Sequence, residues 1–166
     1  QLLGDDHTAH ATFIRAQAMI DLGQSAQAVI EAHQLLDRID IQTITDPQAL
    51  TAAARLLVLT ARYEGHPTNE YHQAMDWLAK AHNQLDRFYW PAYLAEAELL
   101  FEKGNGEQAY EAVIDALKLN PNASGGWYLL GQMAIGGFQF ERVEQCAAKL
   151  REINADHLLA DLLLVQ

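Results

Sequence analysis

The sequence predicts an all-α protein built from stacked antiparallel helix hairpins, and three observations lead there. Apolar residues recur at helical spacing through most of the chain, as in Phe13, Ala16, Ile20 and then Ala28, Ala32, Leu35, Leu36. No stretch of four or more residues alternates apolar and polar as a half-buried strand would. Similar segments also return along the chain, as in a repeat array whose unit is one helical hairpin. Half of the 166 residues are apolar, enough for a sizeable core.

The elements follow in order. Residues 9–42 form a first block: Thr12, Arg15, Ala16 and Met19 on one helix, Gly23 at the turn, then Ala28, Ala32 and Leu35 on a second. Residues 46–89 form a second, with Ala54, Leu57, Val58 and Ala61, then Gly65, then Ala74, Leu78 and Ala81. Gly65 to Ala74 spans nine residues where Gly23 to Ala28 and Gly104 to Ala109 span five, so four inserted residues are expected to lengthen that turn. Residues 90–123 carry Tyr93, Glu96, Ala97 and Leu100, then Gly104, then Ala109, Val113, Ala116 and Pro121. Residues 124–157 match them with Trp127, Leu130-Gly131 and Ala134, then Gly136-Gly137 slightly early, then Val143, Ala147, Leu150 and Ala155. Pro47, Pro67 and Pro121 fall near boundaries, and Pro91 fits a helix's first turn, where a missing N–H costs nothing.

Residues 158–166 begin a further helix, apolar nearly all round from His157 to Val165. Such a helix expects burial on more than one side. Together with a start at Gln1, this reads as an excerpt of a longer protein.

Small side chains explain how such helices approach. Ala16, Ala97 and Gly131 on first helices, with Ala28, Ala74 and Ala109 on second ones, are expected to let the two helices of one hairpin close up. Glycines 23, 65 and 104 permit the left-handed backbone that ends a helix and reverses the chain.

An aromatic, then Leu-Gly, a small residue, an apolar residue and a proline over 34 positions: this pattern at Trp127, Leu130-Gly131, Ala134 and their partners resembles the tetratricopeptide repeat (TPR). The resemblance covers roughly nine tenths of the chain and is weakest in the first two blocks. It implies a right-handed α-solenoid, a TPR-like superhelix whose concave face is lined by the first helix of each hairpin and holds a peptide or protein.

The family's groove positions fall here on His10, Phe13, Gln17 and Asp21; on Arg55, Leu59, Arg62 and Tyr63; on Leu94, Glu98, Phe101 and Glu102; and on Tyr128, Gln132 and Ile135. Rings beside fixed charges suit recognition, because aromatics supply contact area and charges supply register. The competing reading makes Leu59 and Phe101 core residues between hairpins. Chaperone-tail binders of this family use basic and amide side chains at positions held here by Phe13, Gln17, Leu56, Pro91 and Ala95, so that specificity is not expected.

Chemistry is sparse. His7 and His10 share a helix face with Asp6 nearby, and His66 and His72 bracket the insertion with His82 further on, yet no histidine pair stands in a metal-protease motif. Glu98 with Glu102, and Glu107 with Glu111, have the spacing of exposed, mildly repulsive pairs. Gly125-Gly126 lacks the rest of a phosphate loop, and Ser25 and Ser124 have no nucleophile context. Cys146, the single cysteine, sits mid-helix as a small hydrophobe and excludes an intramolecular disulfide.

With 22 acidic against 11 basic residues the net charge is −11, which repels nucleic acid. No apolar run reaches the roughly 20 residues of a membrane span. The expectation is a non-enzymatic scaffold with no cofactor or metal, binding a protein or peptide. Its rivals are an accessory domain of a larger enzyme and a self-assembly module, a homo-oligomer joined through the apolar C-terminal helix. A single thiol suits a reducing cytoplasm without confining the chain to it.

Overall fold

The computed structural model describes residues 10–165 except 12, 17, 20, 21, 23, 24, 65 and 66, and only the backbone of 64, 67 and 68. The expectations at Asp6, His7, Gln17, Asp21, Gly23, Gly65 and His66 lie outside the described residues. Among those described there is no strand. After a helical stretch containing residues 10, 11, 13–16, 18 and 19 come α1 (Ser25–Leu36), a 3-10 turn (Ile41–Thr43), α2 (Pro47–Glu64), α3 (Pro67–Lys80) and a π-helical turn (Ala81–Leu85). There follow α4 (Trp90–Glu102), α5 (Gly106–Leu119), α6 (Ser124–Gly136), α7 (Phe140–Ile153) and α8 (Leu158–Leu164). The chain divides into two compact units, Gln1–Ala95 and Glu96–Gln166.

In the first unit, α2 starts with an acidic cap and a proline. The Asp46 carboxylate accepts the Gln48 N–H at 3.1 Å, and Pro47 occupies the position where no donor is needed. One core cluster gathers Ile44, Ala49, Leu50, Ala52, Ala81 and Ala92. A second gathers Ala16, Ala28, Val29, Ala32, Leu56 and Leu59. Arg15 reaches Glu31 at 3.0 Å across the first hairpin, but the pair is exposed and contributes at most about 1 kcal/mol.

The extra residues of the second block do not lengthen its turn. Helix α3 begins at Pro67, so the additional residues before Ala74 are helical, and four of them make roughly one turn of helix. Ala74 therefore keeps the same inward face as Ala109 and is fully buried, as Ala109 is. One further residue separates Ala74 from Asp86 compared with Ala109 from Asn120. The π turn absorbs it: the Asp86 N–H bonds to the carbonyl of Ala81, five residues back, whereas Asn120 and Asn154 bond to Ala116 and Leu150, four back.

In the second unit, α7 shows how pattern becomes packing. Val143, Cys146, Ala147 and Leu150 lie on one stripe and are buried, while the intervening polar residues face solvent. Complete burial of a leucine such as Leu150 is worth about 1.5–3 kcal/mol. Helix α6 differs: Gly126, Leu129, Leu130, Gly131 and Ala134 are buried and most of the rest is half-buried, so it is enclosed on several sides.

Two of its glycines are there for closeness. A Cβ on Gly131 would stand 2.5 Å from Cδ1 of Leu163, and one on Gly126 would stand 2.9 Å from Cδ2 of Leu117. Both neighbours lie outside the α6–α7 hairpin, on α8 and α5. The small residue at 131 thus serves stacking between successive hairpins, a role that the sequence did not suggest. Leu163, itself fully buried, fills the space that the missing side chain leaves.

Helix ends repeat at an interval of 34, from α4 to α6 and from α5 to α7. After α4, Gly104 adopts φ 79°, with its N–H on Phe101 O at 3.0 Å and the Asn105 N–H on Leu100 O at 2.9 Å. This pair of reversed bonds is the Schellman arrangement. After α6 the same bonds run from Phe138 to Ile135 and from Gln139 to Ala134, at 3.0 and 2.9 Å. The left-handed residue is therefore Phe138, φ 57°, and not either glycine of the Gly136-Gly137 pair. Its Cβ makes that conformation costly, by about 1–2 kcal/mol, and its ring is 81% exposed, so no core contact compensates. Replacing Phe138 with glycine should raise stability by about 0.5–1 kcal/mol, since glycine's greater freedom when unfolded takes back part of the gain. Urea unfolding followed by circular dichroism checks this.

Candidate functional site

From the second block onward, the second helices end in the same local device. The side chains of Asp86, Asn120 and Asn154 accept the N–H two residues on, from Phe88, Asn122 and Asp156, at 2.9, 3.1 and 3.2 Å. Each thereby closes a tight turn that carries the chain into the next first helix. The aromatic near the start of that helix bonds back to the turn: Tyr93 OH donates to Arg87 O at 3.3 Å, and Trp127 Nε1 donates to Pro121 O at 2.8 Å. The aromatic thus has a polar reason as well as an apolar one. These turns set where α4 and α6 begin, and so where their surface side chains stand.

The candidate contact residues then separate by burial. On α2, Arg55, Leu59 and Arg62 share a face at helical spacing, with Tyr63 beside it. Leu59 lies inside the cluster with Ala16, Ala28 and Leu56 and is only 4% exposed, so it is a core residue. Arg62 and Tyr63 are at the surface, with Tyr63 50% exposed. On α4, Leu94 is buried, Phe101 is half-buried, and Glu98 and Glu102 are exposed. On α6, Tyr128, Gln132 and Ile135 are all half-buried and lie on one stripe.

The most structured part surrounds Arg55. Its Cζ sits 5.5 Å from the centre of the Phe13 ring, within reach of a cation–π attraction. Phe13 is half-buried and packs against both clusters of the first unit, so the guanidinium rests on a fixed platform. Tyr89 shares this field. Burial first, and then the Asp46 carboxylate, push its phenol above its ordinary value near 10, against the opposing pull of Arg55. Cys146 is likewise pushed up, mainly by burial, and is a packed hydrophobe rather than a nucleophile.

Three features had no sequence signal. His82, in the π turn, is buried and stacks on Tyr93 with ring centres 4.2 Å apart. Arg142 lies over the Tyr110 ring at 5.1 Å and donates to its hydroxyl at 2.9 Å. Phe138 and Phe140 leave large rings in solvent at the start of α7. What these surfaces offer is contact area and charge-assisted hydrogen bonding.

No protein-family model and no curated protein matches the sequence. Solved structures do match. A tetratricopeptide-repeat protein from Parabacteroides merdae is similar over 95% of this chain and 58% of its own, with a TM-score of 0.60 at 18% identity. This chain thus spans a little over half the length of that protein. MamA is similar over 89% of this chain and 78% of its own, with a TM-score of 0.57 at 16% identity. YrrB, a TPR protein with an unusual peptide-binding site, is similar over 93% and 91%, with a TM-score of 0.51 at 14% identity.

The Tyr89 environment has a consequence for pH. A phenol raised in the folded state stabilises fully below its ordinary value, and that contribution fades as pH climbs through the raised value. Above pH 10 the unfolding free energy should fall less steeply for Tyr89→Phe than for the parent protein. Urea titrations at a series of alkaline pH values read the difference.

Proposed function

We propose that this chain, whose fold is that of tetratricopeptide-repeat proteins, is a non-catalytic scaffold that binds a protein or peptide along its first helices. The observation that carries the reading is how α2, α4 and α6 divide their side chains. Their small and aliphatic residues go into the core, while Arg62, Tyr63, Glu98, Phe101, Tyr128 and Gln132 retain surface. A prefolded surface of rings and charges loses little ordering entropy when a partner binds. Within Gln1–Ala95, Arg55 rests on Phe13 on the same face of α2 as Arg62. Leu59 and Leu94 support it from inside. The acidic balance favours a protein partner over nucleic acid, and no helix among the described residues is long and apolar enough to cross a membrane.

The test is affinity capture with this chain, identification of the captured protein, and titration of the isolated pair. Tyr63→Ala combined with Phe101→Ala should weaken binding by about tenfold or more while leaving helicity unchanged. Unchanged affinity would remove the first-helix surface from the reading.

A second reading, self-assembly, has its own observation. On α8, Leu158, Leu162, Leu164 and the adjoining Val165 are exposed together. Their counterparts 34 residues earlier include Leu130 and Gly131, which α6 buries. If two copies meet there, light scattering over a concentration series should show mass increasing with concentration, and Leu158→Glu with Leu162→Glu should abolish the increase. A constant monomer mass excludes it.

A further inference from the structure

We propose that Asn105 is a site of spontaneous deamidation and isoaspartate formation in the folded protein. Asn105-Gly106 is the one Asn-Gly pair in the sequence. The Asn105 side chain is exposed and makes no capping hydrogen bond at the start of α5, so its amide carbon is open to attack. Gly106 is the first residue of α5, a position whose N–H has no partner within the helix. Gly106 itself carries no side chain to crowd its nitrogen, and apart from its chain neighbours and its own helix backbone nothing lies within 4 Å of where a Gly106 Cβ would be. The Asn105 backbone, at φ −84° and ψ 59°, already lies outside helical geometry. Rotation into the reactive geometry strains one local bond, from Ala109 N–H to Asn105 O, at a helix end where opening is least costly.

In the reaction the Gly106 nitrogen bonds to the Asn105 side-chain carbonyl carbon. The bond from that carbon to the amide nitrogen breaks, and ammonia leaves with the proton from Gly106. Water then opens the cyclic imide at either carbonyl, giving aspartate or isoaspartate. Aspartate keeps the backbone and adds a negative charge at a helix start, where it is favourable. Isoaspartate inserts a methylene into the main chain. It displaces the reversed bond from Asn105 N–H to Leu100 O and so loosens the turn that joins α4 to α5.

The other asparagines near turns are internal controls. Asn120 precedes Pro121, which has no N–H, and its side-chain oxygen holds Asn122 N–H. Asn154 precedes Ala155, and its oxygen holds Asp156 N–H. Asn122 precedes the buried Ala123.

The folded chain is incubated at mildly alkaline pH beside a urea-unfolded sample. Peptide mapping follows each asparagine, and enzymatic carboxyl methylation counts isoaspartate. Conversion at Asn105 should exceed that at Asn122 and Asn154 by about tenfold or more, because only its following residue lacks a Cβ. Gly106→Ala should suppress conversion by about tenfold with helicity intact, since there is room for the methyl and alanine favours the helix. Asn105→Gln, whose longer side chain cannot close the same ring readily, should abolish the isoaspartate signal. The proposal is overturned if Asn105 stays intact in the folded chain while converting in urea, or if Gly106→Ala leaves its rate unchanged.

Discussion

The reversal after the π turn that extends α3, and after α5 and α7, is the constraint on which the rest of the structure depends. A carboxylate or amide at Asp86, Asn120 or Asn154 accepts a backbone N–H two residues on. The next first helix then starts within four residues, and Tyr93 or Trp127 ties its opening turn back to that loop. Each turn is a local object closed by short-range bonds, so it recurs with the sequence that makes it. Within Glu96–Gln166, the small residues at 126 and 131 leave room for Leu117 of α5 and Leu163 of α8.

The second block shows how far that relation tolerates added length. Helix α2 has 18 residues where α4 and α6 have 13, and α3 runs on through a π turn. An added turn of helix before Ala74 leaves its inward face unchanged, because four residues are close to one period. A single extra residue would instead rotate everything after it by about 100°, and a wider π turn absorbs that rotation locally. Asp86 then recovers the bond to Phe88 N–H that its counterparts make. His82 stacks on Tyr93 at this point, so the distortion is packed and not frayed.

Much of the candidate surface was legible because helical spacing alone puts Arg62 and Tyr63 near one edge of α2, and Tyr128 and Gln132 on one stripe of α6. For Leu59 the sequence left the core and the contact surface as alternatives, and only the packing decided for the core. Its burial depends on Ala28, Val29 and Ala32, brought to it by α1 from another part of the chain. The cation–π pair of Arg55 and Phe13 is separated by more than forty positions, and no periodicity links them. Tyr110 and Arg142 are related in the same way across two helices.

The amino-acid pattern by itself determined that this protein is helical, where most helices begin and end, and that alanines such as Ala28, Ala74 and Ala109 would be buried. Those outcomes rest on backbone hydrogen bonding, proline's missing donor and apolar period, all of which act within a few residues. Tertiary structure decided which helix Gly131 lets approach, that the additional residues enter α3 and not a loop, and that Phe138 rather than a neighbouring glycine takes the left-handed turn. Each of these is settled by where a distant element arrives. The bonds from Phe138 to Ile135 and from Gln139 to Ala134 hold the helix end at the position required by the packing of α6 on α7 and α8, and the backbone strain of a phenylalanine is small enough to be accepted there.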